Sequence, residues 1–181
     1  MVVNELLRSA PALTEKLRVW VGLPRGFHGA YKPYFELFRE QVSVRLFEAE
    51  PAANDPYFVK LGLAGLVEQL AGDDPFLYLD YDHLVLGPLC MDANQADGIL
   101  VSSEVKQLDQ SIVPGLGDFP MPAPQAGQAH FNNSLIFTSV SRMSALVGPW
   151  RQVYHRLTGL PPEKREEIAF CLAAQAVGEP L

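Results

Sequence analysis

Cysteine is scarce in this chain. Cys90 and Cys171 are the only two in 181 residues, and neither belongs to a Cys-x-x-Cys pair. That excludes a disulfide framework and a cysteine-rich zinc site, and it fits two buried free thiols. The expected compartment is therefore reducing and cytoplasmic. Positive charge is also short, with 14 Lys and Arg against 21 Asp and Glu and a net charge of −7. Without a basic cluster, no nucleic-acid partner is expected, because phosphate contacts dominate that affinity. A small anion stays open if a metal supplies local positive charge. No apolar run approaches the roughly 20 residues a membrane span needs. The first residues lack a basic start followed by a long apolar block, so no signal peptide is expected. A Gly-rich phosphate loop with its Lys is missing as well, which weighs against other phosphate-handling enzymes such as nucleotidyltransferases.

What remains is ordinary globular material, 48% hydrophobic and 19% charged. One domain over residues 1–181 is expected. Residues 4–17 have helical spacing of leucines, with Pro11 as a kink or division. Residues 17–23 read as a strand, 30–40 as a helix and 42–47 as a second strand. Asn54 or Asp55 can cap a helix that starts at Pro56 and runs to Leu70. A third strand opens at Phe76. This alternation predicts an α/β fold, a mostly parallel sheet sandwiched by helices. The series opens with a helix, so the expectation is of a fold trimmed of its first strand or cut short before it.

The second half is less regular. Residues 99–101 read as a short strand, and 113–127, rich in Pro and Gly, as a long loop. Residues 131–137 return to a strand. A helix follows from Ser141, broken or restarted at Gly148-Pro149, and the last helix begins at Pro161-Pro162.

Two carboxylates interrupt the third strand's apolar run, Phe76-Leu-Tyr-Leu-Asp-Tyr-Asp-His-Leu-Val-Leu86. A strand's period of two puts Asp80 and Asp82 on one side and Tyr81 on the other. In open parallel sheets, ligands bind beyond the carboxyl ends of strands. Two like charges so close repel, and a divalent cation removes the conflict. Hard oxygen ligands suit Mg²⁺ or Mn²⁺, which also accept oxygens from a substrate diphosphate. The plainer alternative is a pair of carboxylates capping a turn.

The segment Tyr78-Leu-Asp-Tyr-Asp82, followed by apolar residues and Gly87, resembles the Asp-x-Asp segment of nucleotide-sugar glycosyltransferases with the GT-A fold. It is most similar to the family that contains glycogenin and the bacterial galactosyltransferases. Tyr57-Phe-Val-Lys60 stands where that family has an aromatic-rich helix with a basic residue facing the nucleotide. His130-Phe-Asn-Asn-Ser134 resembles its Phe-Asn-x-Gly strand, with Ser134 in place of the Gly. Glu166-Glu167-Ile-Ala-Phe170 resembles its later acidic helix. The family's late His-x-x-Gly-x-x-Lys-Pro segment has no counterpart after residue 140.

The resemblance implies a metal-dependent hexosyltransferase that uses a nucleotide sugar, with a UDP-sugar favoured, and an unknown acceptor. Asp80 and Asp82 would hold Mn²⁺ or Mg²⁺, with His130 as a substitute third ligand. Lys60, Asn132 and Asn133 would bind the donor. Glu166 or Glu167 would orient the acceptor or act as its base; the plainer alternative is an exposed acidic first turn favoured by the helix dipole. The other reading is a non-catalytic protein of the same fold, a binding or assembly module without a complete nucleotide site.

Overall fold

The computed structural model describes residues 18–24, 29, 33, 43–49, 58–70, 72–80, 98–101, 105–107 and 129–178. The helix expected over 4–17, the loop over 113–127, Asp82 and Cys90 lie outside them. Pro33, within the helix expected over 30–40, is helical.

The described elements form a mixed α/β fold. β1 (Arg18–Pro24) and β2 (Ser43–Ala49) pair in parallel, with Arg18 opposite Ser43 and Pro24 opposite Ala49. A parallel pair needs a crossover rather than a tight hairpin, and the chain between these strands is long enough for one. This pairing is the one the alternating first half predicts. β3 (Pro75–Leu79) behaves differently. Its described partner is β7 (Leu135–Ser139), which runs antiparallel to it and lies between β3 and β4 (Leu100–Val101). A second antiparallel pair joins β5 (Val105–Gln107) to β6 (Ala129–Phe131). The described pairings are thus parallel once and antiparallel three times. β7 comes from the irregular half of the sequence, where no strand–helix alternation constrains direction.

Three boundaries depart from the sequence reading, each for a local reason. The helix expected up to Leu70 is two short pieces, α1 (Phe58–Leu61) and α2 (Leu63–Val67), divided at Gly62. The Gly65 amide bonds the Gly62 carbonyl three residues back, a tighter turn than an α-helix makes. The strand expected over 131–137 is split into β6 and β7. Asn132 Oδ1 accepts from the Ser134 amide at 2.8 Å, so the side chain takes a donor that a ladder would use. The helix expected to break at Pro149 does not. α3 (Val140–Arg156) passes through it. Pro149 leaves the carbonyl of Ala145 without its helical donor, and Ala145 is exposed, so water can serve it.

The core lies between α2, β7, α3 and α4 (Pro162–Ala176). α3 buries Val140, Met143, Leu146, Val147, Trp150, Val153 and Tyr154, a stripe at spacings of three and four. Its N-terminus is capped by Ser139 Oγ, which accepts from the Arg142 amide. α4 is buried without interruption from Ile168 to Ala174, so chain surrounds it on every side. That explains its composition, Ile-Ala-Phe-Cys-Leu-Ala-Ala, which lacks a polar face. Cys171 is buried there, as expected. Trp150 meets Phe170 edge to face at 5.1 Å, and its Nε1 donates to the Glu166 carbonyl at 3.2 Å. No helix among the described residues is long and apolar enough to cross a membrane.

Candidate functional site

The end of β3 is where the fold gathers polar groups. β3 and β7 are antiparallel with Leu79 opposite Leu135, so the chain leaving β3 meets the chain entering β7. The Asp80 amide donates to the Ser134 carbonyl at 2.9 Å, which continues the ladder one step past the strand. Asp80 is thereby fixed beside the Asn132-Asn133-Ser134 turn. Lys60 reaches the same point from α1, and Glu166 from the first turns of α4.

Lys60 organises the cluster. Its Nζ donates to Asn133 Oδ1 at 3.1 Å and Glu166 Oε2 at 3.1 Å, and pairs with Asp80 Oδ2 at 3.0 Å. An ammonium has three donors, and these three acceptors match them. Asn133 Nδ2 donates to Glu166 Oε1, closing a ring of side chains. The Tyr78 hydroxyl donates to Asp80 Oδ1, and the Lys60 ammonium stands 5.8 Å from the Tyr78 ring centroid. Residues separated by 73 and 106 positions along the chain thus meet at one nitrogen.

Burial sets the energetics. Glu166 is 1% exposed and Asn133 is fully buried, whereas the side chains of Lys60 and Asp80 are 14% and 21% exposed. The cluster therefore has a closed end, at Asn133 and Glu166, and an end nearer solvent, at Asp80. Burial pushes the Glu166 carboxyl up to about 7, against the lowering effects of the Lys60 charge and the Asn133 hydrogen bond. Both partners facing Glu166 are donors, so they suit the ionised carboxylate that burial resists. For Lys60, burial acts to lower the pKa, but the charges of Glu166 and Asp80 outweigh it and the net shift is upward. Lys60 is protonated at neutral pH.

The structure thus brings together four of the residues singled out in the sequence: Lys60, Asp80, Asn133 and Glu166. It adds Tyr78, which the sequence reading passed over. The period of two that pairs Asp80 with Asp82 also puts Tyr78 on that side. Asn132 stands at the turn itself, half-buried. Glu167 follows Glu166 on α4 and is also half-buried. Glu166 is not the exposed first-turn acid of the plainer alternative. Asp82 lies outside the described residues. His130 is placed in β6, opposite Lys106, by its backbone alone.

Whether the residues fit a divalent cation depends on the donors present. Asp80 suits one: it is a hard oxygen ligand, partly exposed, whose two oxygens each have one partner among the described residues and retain acceptor capacity. Glu166 does not, being buried with both oxygens held by Asn133 and Lys60. Among the described residues, no three His, Cys, Asp or Glu side chains are grouped to hold a metal.

Compared with protein-family models, curated proteins and solved structures, the chain matches none.

Proposed function

We propose that this chain is a metal-dependent glycosyltransferase of GT-A type, moving a hexosyl group from a nucleotide-diphosphate donor, a UDP-sugar by preference, to an acceptor hydroxyl. One observation carries the reading. The segments that resemble the glycosyltransferase family lie far apart in sequence, yet Lys60, Asp80, Asn133 and Glu166 meet at one strand end. β3 runs antiparallel to β7, so the carboxyl-end rule of parallel sheets does not apply to it; what supports the reading is the convergence of charged and amide groups, of the kind that fixes a polar ligand. In this reading the fold is of GT-A kind, its sheet more parallel than the described pairings.

Asp80 and Asp82 would hold Mn²⁺ or Mg²⁺, with His130 as the candidate third ligand. When bound, the cation supplies Lewis-acid stabilisation of charge on the leaving nucleoside diphosphate. The chain's own groups do the rest. Lys60 and Tyr78 orient Asp80. Asn132, at the turn, would hydrogen-bond the donor sugar's hydroxyls. Glu167 accepts the proton of the attacking hydroxyl as its oxygen bonds the sugar's anomeric carbon and the bond to the diphosphate breaks. The test is release of UDP from UDP-hexoses in Mn²⁺ with a panel of sugar and protein acceptors. Asp80→Ala and Asp82→Ala are each expected to reduce turnover by about 10²-fold or more, the scale of removing a charge-stabilising group. Turnover unchanged in both variants would end the proposal.

A second reading is favoured by one observation: the cluster is closed on itself. Every donor of Lys60 is engaged within the protein. A network so complete can hold a fold together without serving a ligand, as a non-catalytic binding or assembly protein requires. Well-folded protein that neither binds nor cleaves a nucleotide sugar would establish that reading instead.

A further inference from the structure

Resting on the donor-site reading above, we infer that Glu166 is a positioning residue for Asp80, acting through Lys60 and Asn133, and not the base that meets the acceptor. Among the described residues, its carboxylate has no hydrogen-bond partner other than Asn133 and Lys60. Its side chain is buried, Oε1 accepts from Asn133 Nδ2, and Oε2 accepts from Lys60 Nζ. A group enclosed in this way cannot reach an acceptor hydroxyl without dismantling the cluster. What it governs is the charge that Lys60 delivers to Asp80. With both carboxylates present, the Lys60 ammonium is shared between them, at 3.1 Å to Glu166 and 3.0 Å to Asp80. Asp80 then keeps part of its negative charge for a ligand on its more exposed side. Without the Glu166 charge, Lys60 pairs with Asp80 alone and neutralises it.

Asn133 makes the arrangement directional. Its amide oxygen faces Lys60 and its amide nitrogen faces Glu166. A carboxylate accepts from both neighbours, whereas the amide of Glu166→Gln can accept with only one end. The other end then puts an N–H against the Asn133 amide or the Lys60 ammonium. The mismatch is felt at Lys60 in either orientation, and so at Asp80. Substitution of partners lying one shell behind a metal ligand typically costs about 10–100-fold in metal affinity.

The experiment is titration of Mn²⁺ into the full chain above the Glu166 pKa of about 7, where its carboxylate is ionised, in the presence of saturating UDP, read from the loss of the free-ion electron paramagnetic resonance signal. Wild type, Glu166→Gln, Glu167→Gln and Asp80→Ala are compared, each checked by circular dichroism and thermal melting. The inference expects Glu166→Gln to weaken Mn²⁺ by about 10–100-fold while Glu167→Gln leaves affinity unchanged. If Glu166→Gln does not fold, Glu166→Asp replaces it. That variant keeps the charge but withdraws it by one methylene, so a smaller weakening in the same direction is expected. Altered melting with unchanged Mn²⁺ affinity in the Glu166 variant would overturn the inference, leaving Glu166 a purely structural group. Failure of wild type to bind Mn²⁺ with UDP would instead remove the donor-site reading beneath it.

Discussion

At the scale of single residues, the closed end of the cluster is where charge and burial are most at odds. Removing Lys60 is the harshest change. Lys60→Met leaves Glu166 buried without its cation, and breaking a buried pair from one side costs about 3–5 kcal/mol. Chemical denaturation should show a loss near the lower figure, because a carboxyl already raised to about 7 escapes part of the penalty by taking up a proton. The same shift makes stability depend on pH with a definite sign. Glu166 has a folded pKa above its ordinary 4.5, so the native state holds a proton that the unfolded chain has released between those values. Its contribution is therefore complete below about pH 4.5 and is lost as pH rises towards about 7, a span worth about 3 kcal/mol. Asp73 acts in the opposite sense. Its hydrogen bond from Ser141 lowers its pKa, so its contribution is present above its ordinary pKa of 3.8 and fades as pH falls. The difference between wild type and Glu166→Gln isolates the Glu166 effect. Urea midpoints measured from pH 4.5 to 8 should converge or cross between the two proteins, and parallel curves would contradict the assignment.

At the scale of elements, the sequence revealed regular runs better than their interruptions. β1, β2 and β4 follow apolar runs and were legible to within two residues, as was the start of β3. The breaks were not, because each depends on a competition that composition does not display. Asn132 takes the Ser134 amide and ends β6, although Phe131 to Phe137 reads as one strand. Pro149 looks like a helix breaker, yet α3 absorbs it because the carbonyl it orphans belongs to exposed Ala145. Two measurements follow. Pro149→Ala should stabilise the protein by about 2 kcal/mol, since Pro is about 3 kcal/mol worse than Ala inside a helix and repays part of that in the unfolded chain. Ser139→Ala, which removes the cap from the same helix, should cost about 1 kcal/mol. A destabilised Pro149→Ala would mean that α3 depends on the proline's fixed geometry.

At the scale of the whole molecule, the core and the cluster are joined through α4. Trp150 packs on Phe170 and donates to the carbonyl of Glu166, so the core supports the backbone of the residue that closes the polar ring. Trp150→Phe should therefore destabilise the fold through the lost indole bond and volume. It should also loosen the cluster, visible as faster hydrogen exchange at the Glu166 end of α4 than at its far end. The site was partly legible from sequence. Lys60, Asp80, Asn133 and Glu166 could each be named from local patterns. Their mutual saturation could not, because it depends on β7 lying antiparallel to β3 and on α4 turning Glu166 inward. Asp82 and the side chain of His130, the other proposed metal ligands, lie outside what the structure describes. The central claim is that Asp80 forms a donor site in which cation and diphosphate bind together. Calorimetric titration of UDP into wild type and Asp80→Ala, with and without Mn²⁺, tests it most directly. The account predicts heat for wild type in Mn²⁺ and none when either the cation or the Asp80 carboxylate is absent. Binding unaffected by both, or no binding by well-folded wild type, would contradict it.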